Sequence, residues 1–268
     1  IVFKTSSVAS RASVVALEIE QLEQIGIWTI SRTDDAYPQL WKSRLKGAAP
    51  PVLFGAGPRE LLEQESIAIV GSREIAGELG EVAERIGLRV STAGYAVVSG
   101  GARGSDRVGM WGALQHGGHA VGILPADLGR MSRNRELRSL IAGNRLCLVS
   151  QVNPAAGFSV GNAMARNRLI YALSELTIVL STSEGTGGTW AGAIENLKRR
   201  WAPIAVWTGE FAPAANRRLL ERGALPMATV PESSADVRQL VREAAESFAT
   251  SAARDAKPVN LTLGLEED

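Results

Sequence analysis

Apolar residues in this chain fall into short runs at 67–70, 96–98, 120–124, 146–149, 177–180 and 204–207, with a weaker one at 227–230. The runs are rich in β-branched residues and bounded by Gly, Ser or Pro, and they do not alternate with polar residues. Continuous apolar runs of this length suit strands buried on both faces. Between them, 77–92, 105–116, 134–142, 161–174, 189–199 and 213–222 have the length and periodicity of helices. Strand alternating with helix predicts an α/β protein with a doubly wound, mostly parallel sheet.

The ends of the chain read differently. Residues 13–24 form a plausible amphipathic helix, and Tyr37-Pro38 and Pro50-Pro51 punctuate extended structure before residue 60. We read 1–60 as a small lead-in packed on the main domain, 61–231 as that domain, and 232–268 as a helix (234–248) with a charged tail ending in Asp268.

In open α/β sheets ligands sit beyond the carboxyl ends of the strands, and that is where the glycines are. Gly71-Ser72-Arg73 follows the first run, and Gly100, Gly101, Arg103 and Asp106 lie in the turn after the second. Gly122 to Gly129 follows the third. Gly185-Thr186-Gly187-Gly188-Thr189 follows the run at 177–180. Glycine lets backbone approach a ligand closely, and the helix that opens there offers unpaired N–H groups to an anion. Arg73 and Arg103 would add charge-assisted contacts to phosphate. Arg166-Asn167-Arg168 enters a helix before the 177–180 strand; at i and i+2 the two guanidiniums cannot share a face, so one anchors structure while the other meets ligand. Asp106 suits a helix cap.

The spacing is neither the dinucleotide fingerprint nor a Walker lysine loop, so NAD binding and ATP hydrolysis are not supported. No Gly-x-Ser-x-Gly elbow is present, and His116 and His119 have no further ligands at metal spacing, so neither a catalytic serine, a metal nor a cofactor is expected. Trp41, Trp111, Trp190, Trp201 and Trp207 are scattered, as core residues are.

Charge changes the picture only slightly. The 29 cations against 28 acids leave a net +1, although Arg outnumbers Lys heavily, which fits phosphate recognition and a GC-rich genome equally well. The single cysteine, Cys147, lies in an apolar run and cannot form an internal disulfide, which points to a buried thiol and the cytoplasm. No apolar stretch approaches the ~20 residues a membrane span needs, and the start of the chain lacks a signal-peptide pattern.

Taken in order, these motifs resemble the DNA-processing protein A (DprA/Smf) family. The matches are Tyr37-Pro38, Gly71-Ser72-Arg73, the 99–106 loop, Gly117-Gly118, Ser150-Gln151 with Pro154, Arg166-Asn167-Arg168 followed by Leu169-Ile170, and the 185–189 loop. The resemblance implies an extended Rossmann-like fold and a homodimer. It also implies single-stranded DNA binding in a basic pocket at these loops, with strand protection and help to a RecA-type recombinase during DNA uptake. Arg73 and the Gly100-Gly101 loop would then contact the DNA backbone, with Arg166 and Arg168 lining or bracing the pocket. The chain departs from the family pattern at Ala163, where an aromatic is expected, and leaves too little after Pro231 for a winged helix.

Other readings keep the pocket and change the ligand. A non-catalytic nucleotide sensor fits the same loops. The LOG-type nucleotide phosphoribohydrolases share part of the Gly/Thr loop, but their chemistry needs a carboxylate where this chain has Gly192; the nearest, Glu195, is one helical turn on and would face elsewhere.

Overall fold

A computed structural model describes residues 2–72, 77–101 and 105–255. In the lead-in, helix α1 (Val2–Gln24) is followed by strand β1 (Trp28–Ser31), helix α2 (Gln39–Leu45) and strand β2 (Val52–Ala56). The repeating part runs β3 (Ser66–Val70), α3 (Gly77–Thr92), β4 (Ala96–Ser99), α4 (Ser105–Leu114) and β5 (Ala120–Leu124). Short α5 (Leu128–Met131) and α6 (Arg135–Ala142) lead to β6 (Leu146–Ser150) and α7 (Val160–Leu173). Then come β7 (Leu176–Val179), α8 (Gly187–Arg199), β8 (Ile204–Trp207), α9 (Arg217–Leu220), β9 (Leu225–Met227) and α10 (Ser234–Asp255).

Among the described residues nine strands make one sheet, ordered β1-β2-β6-β5-β4-β3-β7-β8-β9. All neighbours from β6 to β9 pair in parallel; β1 and β2 join antiparallel at one edge. The order β5-β4-β3-β7-β8 is that of a Rossmann-like sheet, with the reversal of direction between β3 and β7.

The absence of alternation in the apolar runs has its explanation in the layering. Ile67 and Ile69 face a layer formed by α3, α4 and α10, while Ala68 and Val70 face α2, α7 and α8. Every central strand divides in the same way, as Cys147 and Val149 oppose Leu146 and Leu148 on β6. Cys147 is therefore fully enclosed, and burial pushes its thiol well above the usual range. Trp41, Trp201 and Trp207 are core residues, whereas Trp111 and Trp190 are only partly buried.

Three sequence expectations change. The N-terminal helix starts at Val2 rather than residue 13. The extended lead-in is a hairpin-like pair of sheet strands, in which Trp28 lies directly over Gly55 and its indole Nε1 donates to Gly57 O at 2.8 Å. The segment 213–222 is a tight 3₁₀ turn and one turn of α9 instead of a full helix, and the last strand is at Leu225–Met227, earlier than its apolar run.

The lead-in also clamps the main layer. Trp41 is buried against α7 and donates from Nε1 to Leu169 O at 2.8 Å, and Arg44 Nη1 donates to Ser174 O at 2.6 Å. Tyr37 is buried beside Trp41, its hydroxyl donating to Pro50 O, and burial pushes its pKa up to about 12. Replacing Trp41 by Ala is expected to cost about 3–5 kcal/mol, as large-to-small changes at buried aromatics do; a denaturant titration checks it. The Cys147 thiol is expected to stay unreactive toward a thiol reagent at mild alkaline pH until the protein is unfolded, since only the thiolate reacts.

Candidate functional site

Beyond the carboxyl ends of β3 and β7, where the strand order reverses, lies a cavity of about 470 Å³. Gly71 and Ser72 after β3 form its floor. Thr182, Ser183 and the turn Thr186 to Thr189 form one wall, and Phe158, Val160, Ala163, Met164, Arg166, Asn167 and Tyr171 form the other.

The 183–189 turn is built for close backbone approach. Thr186 N–H donates back to Ser183 O, and Gly185 and Gly187 hold φ of +72° and +80°, a conformation that residues with a side chain adopt at a cost. Thr186 precedes α8 in an extended conformation, but its side chain does not cap the helix. The first-turn N–H groups of α8 therefore face the cavity without that competitor, with the positive end of the helix dipole behind them. Two bonds fix the turn in place. Thr189 Oγ1 donates to Gly71 O at 2.9 Å, and Asn167 Nδ2 donates to Gly188 O at 3.0 Å.

Arg166 is buried at the base of the opposite wall and donates from Nη1 to Ile123 O at 3.1 Å. It braces α7 against β5 while bringing a guanidinium to the cavity. Arg168, two residues on, is half-buried and does not line the cavity. The i, i+2 argument thus separates the pair, and the anchoring member is also the one at the pocket. Gly71, Ser72, Arg166, Asn167, Thr186, Gly187, Gly188 and Thr189 come together; Gly185 shapes the turn without lining it. Ser72 N–H is committed to Ser181 Oγ at 2.9 Å and is not an anion donor. The Gly100-Gly101 turn closes β4, one strand away, and is outside the cavity lining. Arg73 and Arg103 lie outside the described residues, as does the side chain of Asp106.

The family model for DNA recombination-mediator protein A matches residues 28–240. The chain belongs to that family. It is 30% identical over 163 residues to the DNA processing protein DprA of Streptococcus pneumoniae, a match covering 59% of this chain and 56% of the relative. The chain thus matches little more than half of that relative's length. The X-ray structure of Streptococcus pneumoniae DprA superposes with a TM-score of 0.68 at 24% identity, covering 82% of this chain and 77% of that one. The Helicobacter pylori DNA processing protein A, studied for its single-stranded DNA binding mode, superposes with 0.64 at 21% identity, covering 82% and 96%. Both likenesses are of fold.

Within this recombination-mediator fold, no carboxylate lines the cavity among the described residues. Gly192, the position where the hydrolase chemistry needs an acid, is packed on α7, and a Cβ there would lie 3.0 Å from Tyr171 Cε2 and 3.3 Å from its hydroxyl, a tight fit. Glu195 is exposed on α8. His116 Nδ1 contacts Gly112 O and His119 Nδ1 contacts Gln64 Oε1. The described residues contain no cluster of three or more metal-ligating side chains.

Three contributors escaped the sequence. Phe158 and Val160 line the mouth yet are 56% and 72% exposed; an aromatic between a Pro-containing loop and a Ser cap was the available signal. Asn216 carried none. It is buried, accepts at Oδ1 from Thr182 N, and donates from Nδ2 to Leu180 O and Trp207 O, holding the ends of β7 and β8 under the pocket wall. Asn216→Ala is expected to lower stability by about 2–4 kcal/mol, since it leaves several buried backbone groups unpaired. A thermal melt against the parent checks it.

Proposed function

We propose that this cavity binds single-stranded DNA without chemical turnover. The observation that carries the reading is the chemistry of its two walls. One presents the helix N–H groups and threonines of the α8 turn; the other presents Phe158, Val160, Ala163 and Met164, with Arg166 at its base. A nucleotide unit has the same two halves, a phosphate and a flat apolar base. Such pairing of anion site and aromatic is the usual basis of single-strand binding, where the unpaired bases are free to stack. The Helicobacter pylori fold relative supports the same ligand class.

Glycine at 192 and the lack of a lining carboxylate among the described residues argue against glycosidic cleavage, which would need an acid at the sugar. Strand protection and hand-over to a RecA-type recombinase, by a homodimer, belong to the same reading. The family's description as a recombination mediator supports that role.

The test is an anisotropy titration with labelled single-stranded and duplex oligonucleotides at two salt concentrations. Preferential binding of the single strand is expected, with affinity falling steeply as salt rises. Equal binding of duplex, or none at low salt, would reject the reading and leave a mononucleotide as the ligand to try. Arg73, read from the sequence as a phosphate contact, is expected on replacement by Ala to weaken binding and flatten the salt slope by about one unit. Phe158→Ala is expected to cost about 1–3 kcal/mol of affinity, the worth of one stacked base, with the salt slope unchanged.

A further inference from the structure

The chain is nearly neutral, but its arginines are not evenly spread. Residues 127–138, spanning α5 and the start of α6, carry Arg130, Arg133, Arg135 and Arg138 against only Asp127 and Glu136. Both acids are engaged. Arg130 holds Asp127 at 2.9 Å, and Arg107 of α4 reaches Glu136 at 3.6 Å. Five arginines therefore face two carboxylates, while the remainder of the chain carries a small acidic excess. Arg133, Arg135 and Arg138 are all exposed and enter no ion pair among the described residues.

The ridge is held in shape. Asn134 caps α6, its Oδ1 accepting from Glu136 N and Leu137 N. Leu137, Leu140 and Ile141 pack inward on the core, so Arg135 and Arg138, one turn apart, share the outer face. A helix packed this way has no structural need for arginine on that face.

The ridge is also continuous with the cavity. The loop that ends in Phe158 is bonded to α5, with Asp127 N–H donating to Ala156 O at 3.0 Å and Gly129 N–H to Pro154 O at 3.1 Å. Asn153 Oδ1 stiffens the same loop by accepting from Ala155 N. The start of the arginine segment and the loop that carries Phe158 are thus braced to one another beyond the ends of β5 and β6.

We propose that the α5–α6 ridge is a second phosphate-binding surface, which carries a single strand onward after it leaves the cavity over Phe158. The proposal rests on the single-stranded DNA reading of the cavity and sets where the strand goes next. The cavity holds about one nucleotide unit, and the ridge supplies the backbone contacts that make a longer strand bind better. Residues 127–138 contain no aromatic, and spaced arginines of that kind suit a phosphate backbone rather than bases.

The experiment compares a ~6-nucleotide with an ~18-nucleotide oligothymidylate, lengths that bracket usual single-strand site sizes. It uses the full chain and the triple variant Arg133→Ala, Arg135→Ala, Arg138→Ala. The parent is expected to bind the long strand more tightly than the short one by more than the gain in overlapping positions. The triple variant is expected to lose about tenfold or more on the long strand and to flatten its salt slope by about 2, since each phosphate neutralised on a single strand adds roughly 0.7 to that slope. Its affinity for the short strand stays at the parent value. The corresponding triple Lys variant is expected to retain most of the long-strand affinity, and an unchanged thermal melt shows that the Ala variant is folded.

Unchanged long-strand binding in the Ala variant would overturn the ridge while leaving the cavity reading intact. Equal losses on both lengths would also overturn it, since the arginines would then act on the cavity itself. Failure of the parent to bind either length removes the cavity reading and the ridge with it. If the Ala variant binds the long strand normally but loses capture of an acidic protein, the ridge is a protein-docking surface instead.

Discussion

Strand β3 is flanked by β4 on one side and β7 on the other, and the connections leave it in opposite directions across the sheet. A right-handed crossover places α3 on one face on the way to β4. The chain reaches β7 through α7, on the other face, and α8 leaves the carboxyl end of β7 on that same face, opposite α3. Two helices that diverge from neighbouring strand ends cannot close over the gap between them. The crevice is a consequence of the winding, and the sequence had only to furnish it. Gly71 at the end of β3 and the Gly/Thr turn before α8 are what the chain places there.

A crevice alone does not hold a ligand, because its walls must keep their spacing. The wall formed by α7 is fixed at three points along its length. Trp41 meets the Leu169 carbonyl, Arg166 meets the Ile123 carbonyl, and Asn167 reaches across to Gly188. The first is supplied by the lead-in, which explains why the edge strands and α2 matter to a site they do not line. The opposite wall relies on Asn216, whose amide ties β7 to β8. All but the exposed Asn167 contact are buried polar groups with carbonyl or amide partners, so they are costly to break, and each contact sets a distance rather than only adding cohesion. An anion site made of backbone N–H groups depends on such spacing, because its donors cannot move to meet the ligand.

The central sheet was legible because strands buried on both faces leave unbroken apolar runs, and residues 67–70 or 120–124 cannot easily be anything else. The glycine turns were legible for the opposite reason, since several of them recur at one edge. The edge strands were not. Trp28 to Ser31 is too short and mixed to stand out, and its pairing depends on Gly55 giving space to an indole from the other strand. The 213–222 segment has helical composition, but a buried Asn216 required a tight turn there. Periodicity also could not tell which of Arg166 and Arg168 would face the cavity, because that is set by where α7 rests on β5. Phe158 entered the site for a similar reason. Its position is fixed by a loop bonded to α5, an attachment with no trace in local sequence.

Net charge is a poor guide to what this fold can bind. With 29 cations and 28 acids the chain generates little long-range attraction for a polyanion, so approach is not strongly steered. On the proposed reading an anion is held at short range, by the N-terminal dipole of α8, a guanidinium buried at the cavity base, and the backbone N–H groups of a glycine-rich turn. Interactions of that range discriminate by fit, so a flexible single strand that can lay a phosphate and a base against two walls gains what a stiff duplex cannot. A strand held at one crevice still has to continue somewhere, and on a nearly neutral surface its path is set by local excesses of charge. The arginines of 130–138 form such an excess, and on the proposed path the hydrogen bonds between the start of α5 and the Phe158 loop link it to the crevice.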